Sequence, residues 1–414
     1  MLSQDTALAL PLLEKIRLVL FTPLYVGFGV AALASSPLLA LISKSSKTAK
    51  KIIFYLCLRT IIPSLRYFLD TVPTWLVLTW WLRSRNIAQD GVRVMKDVAL
   101  GEPCCYGVHP RENVQCLHPC GVSNRRQAER AVLYIHGGGH IVSFFPLQIP
   151  IVKTDVLKNP HIKAANSILL MPSVTPWVRA GYSVYCMNYP LSPASVFPDG
   201  VISVLRCLKY LRKQDGITRI CITGDSAGGN LATAAAAFVC NPPLLAKLAR
   251  EDNEFTQDQF PELNGAVSMY GLLDRTSAFK HNTEGISGFE TSLSRFALDL
   301  LFYAYTGDAD FADSLPRHGK LLDGRCTLVD FIELMDRYPK TFLVVGKCDV
   351  LVHSSRAAHK LLTEKGFDSQ LEEYNARHAF IGLPPALNIG GTWQYHSKPA
   401  TEKIIAFFES LAWE

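Results

Sequence analysis

Short apolar runs alternate with stretches of helical periodicity from about Gly101 to the end of the chain. Strands and helices that alternate in this way pack as a mostly parallel sheet with helices on both faces, so we predict an α/β fold with an eight-stranded sheet. The early strands, which short polar connections join, are expected to form an antiparallel edge. The predicted strands are Cys104–Val108, Val114–His118, Ala131–His136, Ser183–Asn188, Arg219–Thr223, Ala266–Tyr270, Thr341–Gly346 and Gln370–Tyr374. The predicted helices are Gly200–Lys213, Asn230–Cys240, Thr291–Tyr305 and His353–Lys365.

A serine lies among glycines where one of these strands is expected to turn into a helix, in the sequence Gly224-Asp225-Ser226-Ala227-Gly228-Gly229. G-x-S-x-G at such a junction indicates a nucleophile elbow, in which small residues let the strand and helix pack closely around a strained serine. The helix N-terminus adds amides and positive potential where a negatively charged oxygen develops. The alternative is a glycine turn that binds phosphate, but no lysine follows these glycines, and the chain has no G-x-x-x-x-G-K motif. We therefore predict that Ser226 is a nucleophile.

A second glycine-rich segment, His136-Gly137-Gly138-Gly139, follows another predicted strand. Three glycines after a strand allow backbone N–H groups to point into a cavity, where they stabilise an oxygen that becomes negative. We predict that Gly137, Gly138 and Ala227 donate these hydrogen bonds and form an oxyanion hole. His136 is expected to buttress the loop rather than to take part in chemistry.

A serine hydroxyl needs a base, and the base needs a carboxylate that orients it. In a sheet with a nucleophile elbow, the chain order is serine, then acid, then histidine. Asp349 and His378 each follow a predicted strand, at the carboxyl edge where ligands bind in open α/β sheets. The rival His353 falls on the helix expected after Asp349 and would face elsewhere. Ser226, Asp349 and His378 are therefore the predicted catalytic triad.

Five segments together form a recognisable series. They are His136-Gly137-Gly138-Gly139, Asn188-Tyr189-Pro190-Leu191-Ser192-Pro193, Gly224-Asp225-Ser226-Ala227-Gly228-Gly229, Cys348-Asp349-Val350-Leu351 and His378-Ala379-Phe380. Over roughly residues 103–412 the chain resembles the hormone-sensitive-lipase-like branch of the α/β-hydrolases, with the arylacetamide deacetylases as a close comparison. The resemblance implies a carboxylic ester hydrolase without metal or organic cofactor. It also implies a helical cap over the active site, with Ser226 as nucleophile, His378 as base and Asp349 as the orienting acid.

The chain departs from this family beside the predicted oxyanion loop. The family usually has Tyr-Arg-Leu-Ala-Pro-Glu where this chain has Tyr189-Pro190-Leu191-Ser192-Pro193-Ala194. The Arg and Glu that would support the oxyanion loop are therefore missing.

Residues 275–338 separate two predicted sheet strands and include an apolar helix. Long insertions in a compact domain are usually functional, so we expect a cap that lines an acyl pocket. The alternative is a buried helix of the main domain. We predict that His140, Phe296 and Phe302 bind substrate, although His140 is equally compatible with an exposed position. An apolar pocket of this kind suits an apolar ester or a lipid.

The basic character of the chain is confined to its N-terminal part. Residues 1–85 carry ten Lys or Arg against three Asp or Glu, a net charge of +7, whereas the remainder carries 32 against 33, a net charge of −1. A nucleic-acid-binding protein should instead present basic residues on a folded face. The distribution argues against nucleic acid as a partner and favours contact with an anionic membrane surface.

An uncharged run of 25 residues, Leu18–Ile42, is long enough to cross a bilayer. Residues 1–43 are therefore the predicted membrane anchor. The alternatives are a cleaved signal peptide, with Ala32-Leu33-Ala34 as its cleavage site, and a re-entrant hairpin. Four lysines between residues 44 and 51 favour a cytosolic catalytic domain, on the endoplasmic reticulum or a similar endomembrane. The anchored arylacetamide deacetylases are instead expected to face the lumen.

Residues 44–100 are basic and aromatic, which predicts either membrane-proximal helices at the headgroup level or cap helices packed on the catalytic domain. Residues 101–414 are the predicted catalytic domain. Eleven cysteines and no Asn-x-Ser/Thr sequence favour a reducing, cytosol-facing compartment. The Cys and His residues between 104 and 120 have spacings that match no usual zinc-ligand set, so we predict no metal.

The leading functional hypothesis is a membrane-associated serine esterase, lipase or deacetylase that acts on apolar acyl esters. An acyltransferase that uses the same acyl-enzyme is one alternative, with an alcohol in place of water. A non-catalytic ligand-binding protein on a hydrolase fold is another, but such a protein would be expected to lose a member of the triad.

Overall fold

A computed structural model of the chain describes most of the predicted catalytic domain and little before it. The predicted anchor, residues 1–43, and the predicted strand Cys104–Val108 lie outside the described residues. Within the described ranges no single helix is long and apolar enough to cross a bilayer, although one bent pair, Ala227–Cys240 with Pro242–Leu248, meets that criterion by length and composition. The described residues are 92–94, 98–99, 113–119, 130–141, 171–192, 195–214, 216–248, 255–280, 288–306, 325–382 and 393–413.

One twisted sheet organises the described residues. Its strands are β1 (Val92–Val94), β2 (Val98–Ala99), β3 (Asn113–Pro119), β4 (Ala131–Ile135), β5 (Ser183–Asn188), β6 (Arg219–Asp225), β7 (Glu262–Met269), β8 (Thr341–Gly346) and β9 (Ser369–Tyr374). Their order is β1-β3-β5-β4-β6-β7-β8-β9, and β2 pairs with β3. Strands β4 to β9 run parallel to one another. Strand β3 is antiparallel to its three partners, β1, β2 and β5. The mostly parallel sheet with an antiparallel edge is therefore confirmed.

The predicted number of eight strands was wrong, because the described residues alone form a sheet of nine strands. Seven of the predicted strands are present: Ser183–Asn188 and Thr341–Gly346 have the predicted bounds, and the other five have shifted ends. The two additional strands are β1 and β2. These have three and two residues, which is too short for a periodic pattern to be visible in a sequence.

Helices cover both faces of the sheet. They are α1 (Met171–Arg179), α2 (Asp199–Gln214), α3 (Ala227–Cys240), α4 (Pro242–Leu245), α5 (Arg275–Lys280), α6 (Gly288–Thr306), α7 (Leu328–Phe331), α8 (Val352–Glu364) and α9 (Lys398–Glu409). Leu133 of β4 packs in a core with residues of α2 and α3, and its neighbour Tyr134 packs in a second core with residues of α1 and α9. Alternate residues of one strand thus enter the two opposite layers, as the period of a strand requires.

Helix α3 lies in the centre of the molecule and is buried on every side. All its residues from Ala227 to Val239 are buried. A helix that is apolar all round must be covered all round, and its alanines let it approach the sheet closely. The first residue of this helix directly follows Ser226, so the core fixes the position of the predicted nucleophile.

The insertion between β7 and β8 contains α5, α6 and α7. Helix α6 buries Leu298, Phe302 and Tyr305 in the core that Leu133 forms with α2 and α3, which we call the main core. The same helix also contacts the glycine-rich loop after β4 through Leu301. Helix α6 therefore matches the buried-helix interpretation on one face, while a cap over the site stays a prediction.

Candidate active site

Ser226 occupies a strained turn between β6 and α3. Its backbone has φ 50° and ψ −118°, a region that residues with a side chain rarely adopt. Its N–H donates a hydrogen bond to the Met269 carbonyl at 2.9 Å, which ties the turn to β7. The strand and helix approach so closely that a Cβ on Gly228 would lie 2.0 Å from the Ile135 carbonyl oxygen. Only glycine fits there, which is the physical reason for the small residues around the serine.

The structure brings the three predicted triad residues together. Ser226 Oγ lies 3.0 Å from His378 Nε2, and His378 Nδ1 lies 2.8 Å from Asp349 Oδ2. Since the carboxylate only accepts, Nδ1 carries the proton and Nε2 is free to accept from the serine hydroxyl. Ser226, Asp349 and His378 follow β6, β8 and β9, so the three side chains meet at one carboxyl edge of the parallel sheet. This arrangement can remove a proton from Oγ as it attacks an electrophile.

His378 is much more exposed than its partner Asp349. Its side chain is 37% exposed, whereas that of Asp349 is completely buried. Burial of the imidazole acts to lower the pKa of His378, but the charge of Asp349 and its hydrogen bond outweigh that effect, so the pKa is raised above its usual value. Tyr270 packs edge-on against the His378 ring, with centroids 5.1 Å apart.

Asp349 is held by a second hydrogen bond. Its Oδ1 accepts from the Leu351 N–H at 2.8 Å, which leaves Oδ2 directed at His378. The rival His353 lies on α8, as expected. The turn after β8 thus fixes the Asp349 carboxylate in one rotamer.

The structure contradicts the predicted role of Gly137. Its N–H donates to Asp225 Oδ1 at 2.8 Å and is therefore not free for a substrate oxygen. The Tyr134 hydroxyl donates to the same oxygen at 2.5 Å. Burial raises the pKa of the Asp225 carboxyl, although both hydrogen bonds oppose this shift. No described residue accepts a hydrogen bond from the N–H groups of Gly138, Gly139 or Ala227.

His136 buttresses the loop, as predicted. It is completely buried, its Nδ1 donates to the Gly137 carbonyl at 2.6 Å, and burial lowers its pKa to about 4. Its ring stacks on Tyr189 with centroids 4.4 Å apart, and the Tyr189 hydroxyl donates to the His136 carbonyl at 3.1 Å. Tyr189 thus supports the loop where the family's Arg and Glu are absent.

The three predicted substrate-binding residues have different surroundings. His140 is 6% exposed and stacks on Tyr305, so the expectation of an exposed position was wrong, while its contact with substrate stays a prediction. Phe302 is buried in the main core, and its role towards substrate stays a prediction. Phe296 lies on α6, and its side chain is not among the described ones.

Sequence reasoning missed Asp225, Tyr134 and Tyr270 as parts of this site. Asp225 occupies a variable position of the G-x-S-x-G pattern, and nothing in that pattern identifies its partner. The described residues contain no group of three or more His, Cys, Asp or Glu side chains that could hold a metal ion.

Comparisons with known proteins agree with this architecture. A family model of the alpha/beta hydrolase fold matches residues 177–382. Neutral cholesterol ester hydrolase 1 of Pongo abelii is 30% identical over 113 residues, which span 26% of this chain and only 23% of that relative. A putative alpha/beta hydrolase of Acanthamoeba polyphaga mimivirus is 23% identical over 288 residues, 68% of each chain.

Solved structures share the fold at low sequence identity. The hyperthermophilic esterase from the archaeon Pyrobaculum calidifontis has a TM-score of 0.55 and 18% identity, over 87% of this chain and 97% of that one. Esterase B from Lactobacillus Rhamnosis has a TM-score of 0.52 and 16% identity, over 81% of this chain and 93% of that one. The chain therefore has the α/β-hydrolase fold, and it is similar to the family that the hormone-sensitive-lipase-like enzymes share.

Proposed function

We propose that the chain is a serine carboxylic ester hydrolase that acts on apolar acyl esters. The observation that carries this proposal is the relay from Ser226 Oγ to His378 Nε2 at 3.0 Å and from His378 Nδ1 to Asp349 Oδ2 at 2.8 Å. A binding protein that had given up catalysis would have no need to maintain a strained serine, a base and a buried acid in hydrogen-bonding register.

In the first half of the reaction, His378 Nε2 takes the hydroxyl proton as Ser226 Oγ bonds to the acyl carbon. The carbonyl π electrons move to its oxygen, which becomes an oxyanion. When this intermediate collapses, the bond to the alkoxy oxygen breaks, and the departing alcohol receives the proton from His378. In the second half, water loses a proton to His378 and attacks the acyl-enzyme. The acid is released, and Ser226 recovers its proton.

The oxyanion is held by backbone amides in this proposal. Because Asp225 occupies the Gly137 N–H, the donors are Gly138, Gly139 and Ala227. Ala227 begins helix α3, so the partial positive charge of the helix N-terminus adds to its N–H. Preorganised donors of this kind are each worth about 10²–10³ in rate.

The proposed substrate class rests on the comparisons and on the predicted surroundings of the site. One relative is named a neutral cholesterol ester hydrolase, and solved neighbours are named esterases. The predicted anchor at residues 1–43 would hold the catalytic domain against a membrane, with the domain on the cytosolic side. Apolar esters that partition into a bilayer would then be the accessible substrates.

The test is hydrolysis of p-nitrophenyl esters, from acetate to palmitate, by the detergent-solubilised full chain. We expect saturable release of p-nitrophenol, and Ser226→Ala should reduce it to the uncatalysed rate. Ser203→Ala is the matched control, because this buried serine lies on α2 and has no described hydrogen-bond partner. Hydrolysis that Ser226→Ala retains would contradict the proposal. A new alkyl ester formed with an added long-chain alcohol would indicate the acyltransferase instead.

A further inference from the structure

Helix α6, which is inserted between β7 and β8, contacts the loop that carries the oxyanion donors at two consecutive residues. A Cβ on Gly139 would lie 2.6 Å from Leu301 Cδ2, so the loop backbone rests directly on the leucine side chain. The next loop residue, His140, stacks on Tyr305 with ring centroids 3.8 Å apart and an angle of 11° between the planes. Leu301 and Tyr305 are four residues apart, so they lie on the same face of the helix.

The stacked pair is buried. His140 is 6% exposed and Tyr305 is 3% exposed. Neither His140 Nε2 nor the Tyr305 hydroxyl has a described hydrogen-bond partner. Burial lowers the pKa of His140 to about 3, so the ring is neutral under ordinary conditions and is held by stacking rather than by charge. A ring contact of this kind contributes to the position of the loop only while the helix stays in place.

The helix side of the contact is itself fixed to the body of the protein. The Phe197 N–H donates to the Tyr305 carbonyl at 2.7 Å, and the Phe197 ring packs edge-on against Tyr305. Phe197 lies just before α2. The C-terminal end of α6 therefore has a defined position relative to the sheet.

A tight turn connects the His140 ring to the oxyanion donors. The Ile141 N–H donates to the Gly138 carbonyl at 3.2 Å, which closes a tight turn around Gly139 and His140. Both residues have positive φ, 62° and 63°, so the turn has few alternative conformations. Displacement of the His140 ring would thus rotate the Gly138 and Gly139 peptides.

We propose that Leu301 and Tyr305 are positioning residues, through which helix α6 holds the Gly138 and Gly139 amides in the geometry that the tetrahedral intermediate requires. The insertion then contributes to stabilisation of the transition state. This inference rests on the proposed esterase function and goes beyond it. A displacement of about 1 Å in such donors can cost on the order of 10² in rate.

The test compares Tyr305→Leu, Tyr305→Phe and His140→Ala in the full chain, with p-nitrophenyl butyrate as substrate. Tyr305→Leu should lower kcat roughly 10- to 100-fold with KM changed less than about threefold. Tyr305→Phe, which keeps the stacked ring, should stay within about threefold of the wild type. The kcat of the double variant of Tyr305→Leu with His140→Ala should be no lower than that of the less active single variant, because both substitutions remove the same ring contact.

Two readouts separate positioning from simple loss of stability. The affinity for a trifluoromethyl ketone with the same acyl chain, which forms an oxyanion on Ser226, should fall by the same factor as kcat/KM. The pH profile should keep its shape, because His378 and Asp349 are untouched. Tyr338→Leu is the control: this tyrosine donates to the Thr233 carbonyl and packs on Phe367, away from the loop, so its loss should reduce stability but not kcat.

The outcomes are distinct for the inference and for the proposed function. Equal kcat in Tyr305→Leu and Tyr338→Leu, or an unchanged ketone affinity, would overturn the positioning role while the esterase stands. Absence of ester hydrolysis by folded wild-type protein would instead overturn the proposed function on which the inference rests.

Discussion

The Gly137 N–H donates a hydrogen bond to Asp225 Oδ1 across 2.8 Å, and Asp225 is the immediate neighbour of Ser226 in the chain. The Tyr134 hydroxyl donates to the same oxygen from β4. A single carboxylate therefore joins the strand before the oxyanion loop, the loop itself and the nucleophile elbow. The nucleophile and the proposed oxyanion donors are in this way fixed relative to each other before any substrate arrives.

Asp225→Ala should impair both stability and catalysis. It leaves the Gly137 N–H and the Tyr134 hydroxyl without their acceptor, at about 1–3 kcal/mol for each unsatisfied group. The freed loop should also lower kcat on the order of 10–100-fold, because the hydrogen bond that holds the oxyanion donors in place relative to Ser226 is lost. Thermal unfolding and ester hydrolysis measure the two effects. Asp225→Asn keeps one oxygen acceptor and should fall between Asp225→Ala and the wild type; wild-type kcat in Asp225→Ala would contradict this role.

The pH dependence of hydrolysis should report His378. Only the neutral imidazole can take the Ser226 proton, and the pKa of His378 is raised, chiefly by Asp349 against the opposing effect of burial. Activity should therefore fall as pH drops through a value above the ordinary pKa of about 6.5. The measurement is kcat/KM from pH 5 to 9 with a neutral ester. An acid limb below pH 6 would show that Asp349 does not stabilise the protonated ring.

Asp349→Asn should change the same profile in a defined direction. Loss of the carboxylate charge removes the largest effect that raises the pKa of His378, so the acid limb should move to lower pH. The rate should fall roughly 10⁴-fold, because the imidazole is no longer held in the tautomer that accepts the serine proton. Asp368→Asn is the control, since this carboxylate immediately precedes β9 and pairs with Lys340 on the surface. An acid limb that stays in place would contradict the assignment.

Gly228→Ala should prevent the elbow from closing. The added methyl group would lie 2.0 Å from the Ile135 carbonyl oxygen, a fixed backbone atom that cannot rotate away. We expect a loss of about 3 kcal/mol or more in stability, seen as a lower Tm or as failure to fold. Gly216→Ala is the comparison, because Gly216 has φ 69° but no atom within 4 Å of the added carbon. It should cost only about 1–2 kcal/mol, the backbone cost alone; equal losses in the two variants would show that crowding at the elbow is unimportant.

The mostly parallel sheet and the meeting of Ser226, Asp349 and His378 followed from the sequence for a clear physical reason. Each of the three residues follows a predicted strand, and parallel strands bring their carboxyl ends to one edge. Local patterns therefore sufficed to place them. The short strands β1 and β2 escaped prediction because pairing with β3, rather than their own pattern, makes them strands.

The details of the oxyanion loop depended on contacts between distant parts of the chain. Gly137 and Gly139 are indistinguishable in a run of three glycines, and only the side chains of Asp225 and Leu301 give them different surroundings. His140 looked like a surface or substrate residue because its partner, Tyr305, lies on an inserted helix much later in the sequence. Partners of this kind are set by tertiary packing, which no local pattern encodes.

The most direct test of the account is reaction of the folded full chain with a fluorophosphonate, followed by mapping of the adduct by peptide mass. The relay predicts one phosphonylated residue, Ser226, with labelling abolished in Ser226→Ala and strongly slowed in His378→Ala. It also predicts normal labelling in Ser203→Ala. A folded wild-type protein that stays unlabelled, or an adduct on another residue, would contradict the claim that Ser226 is an activated nucleophile.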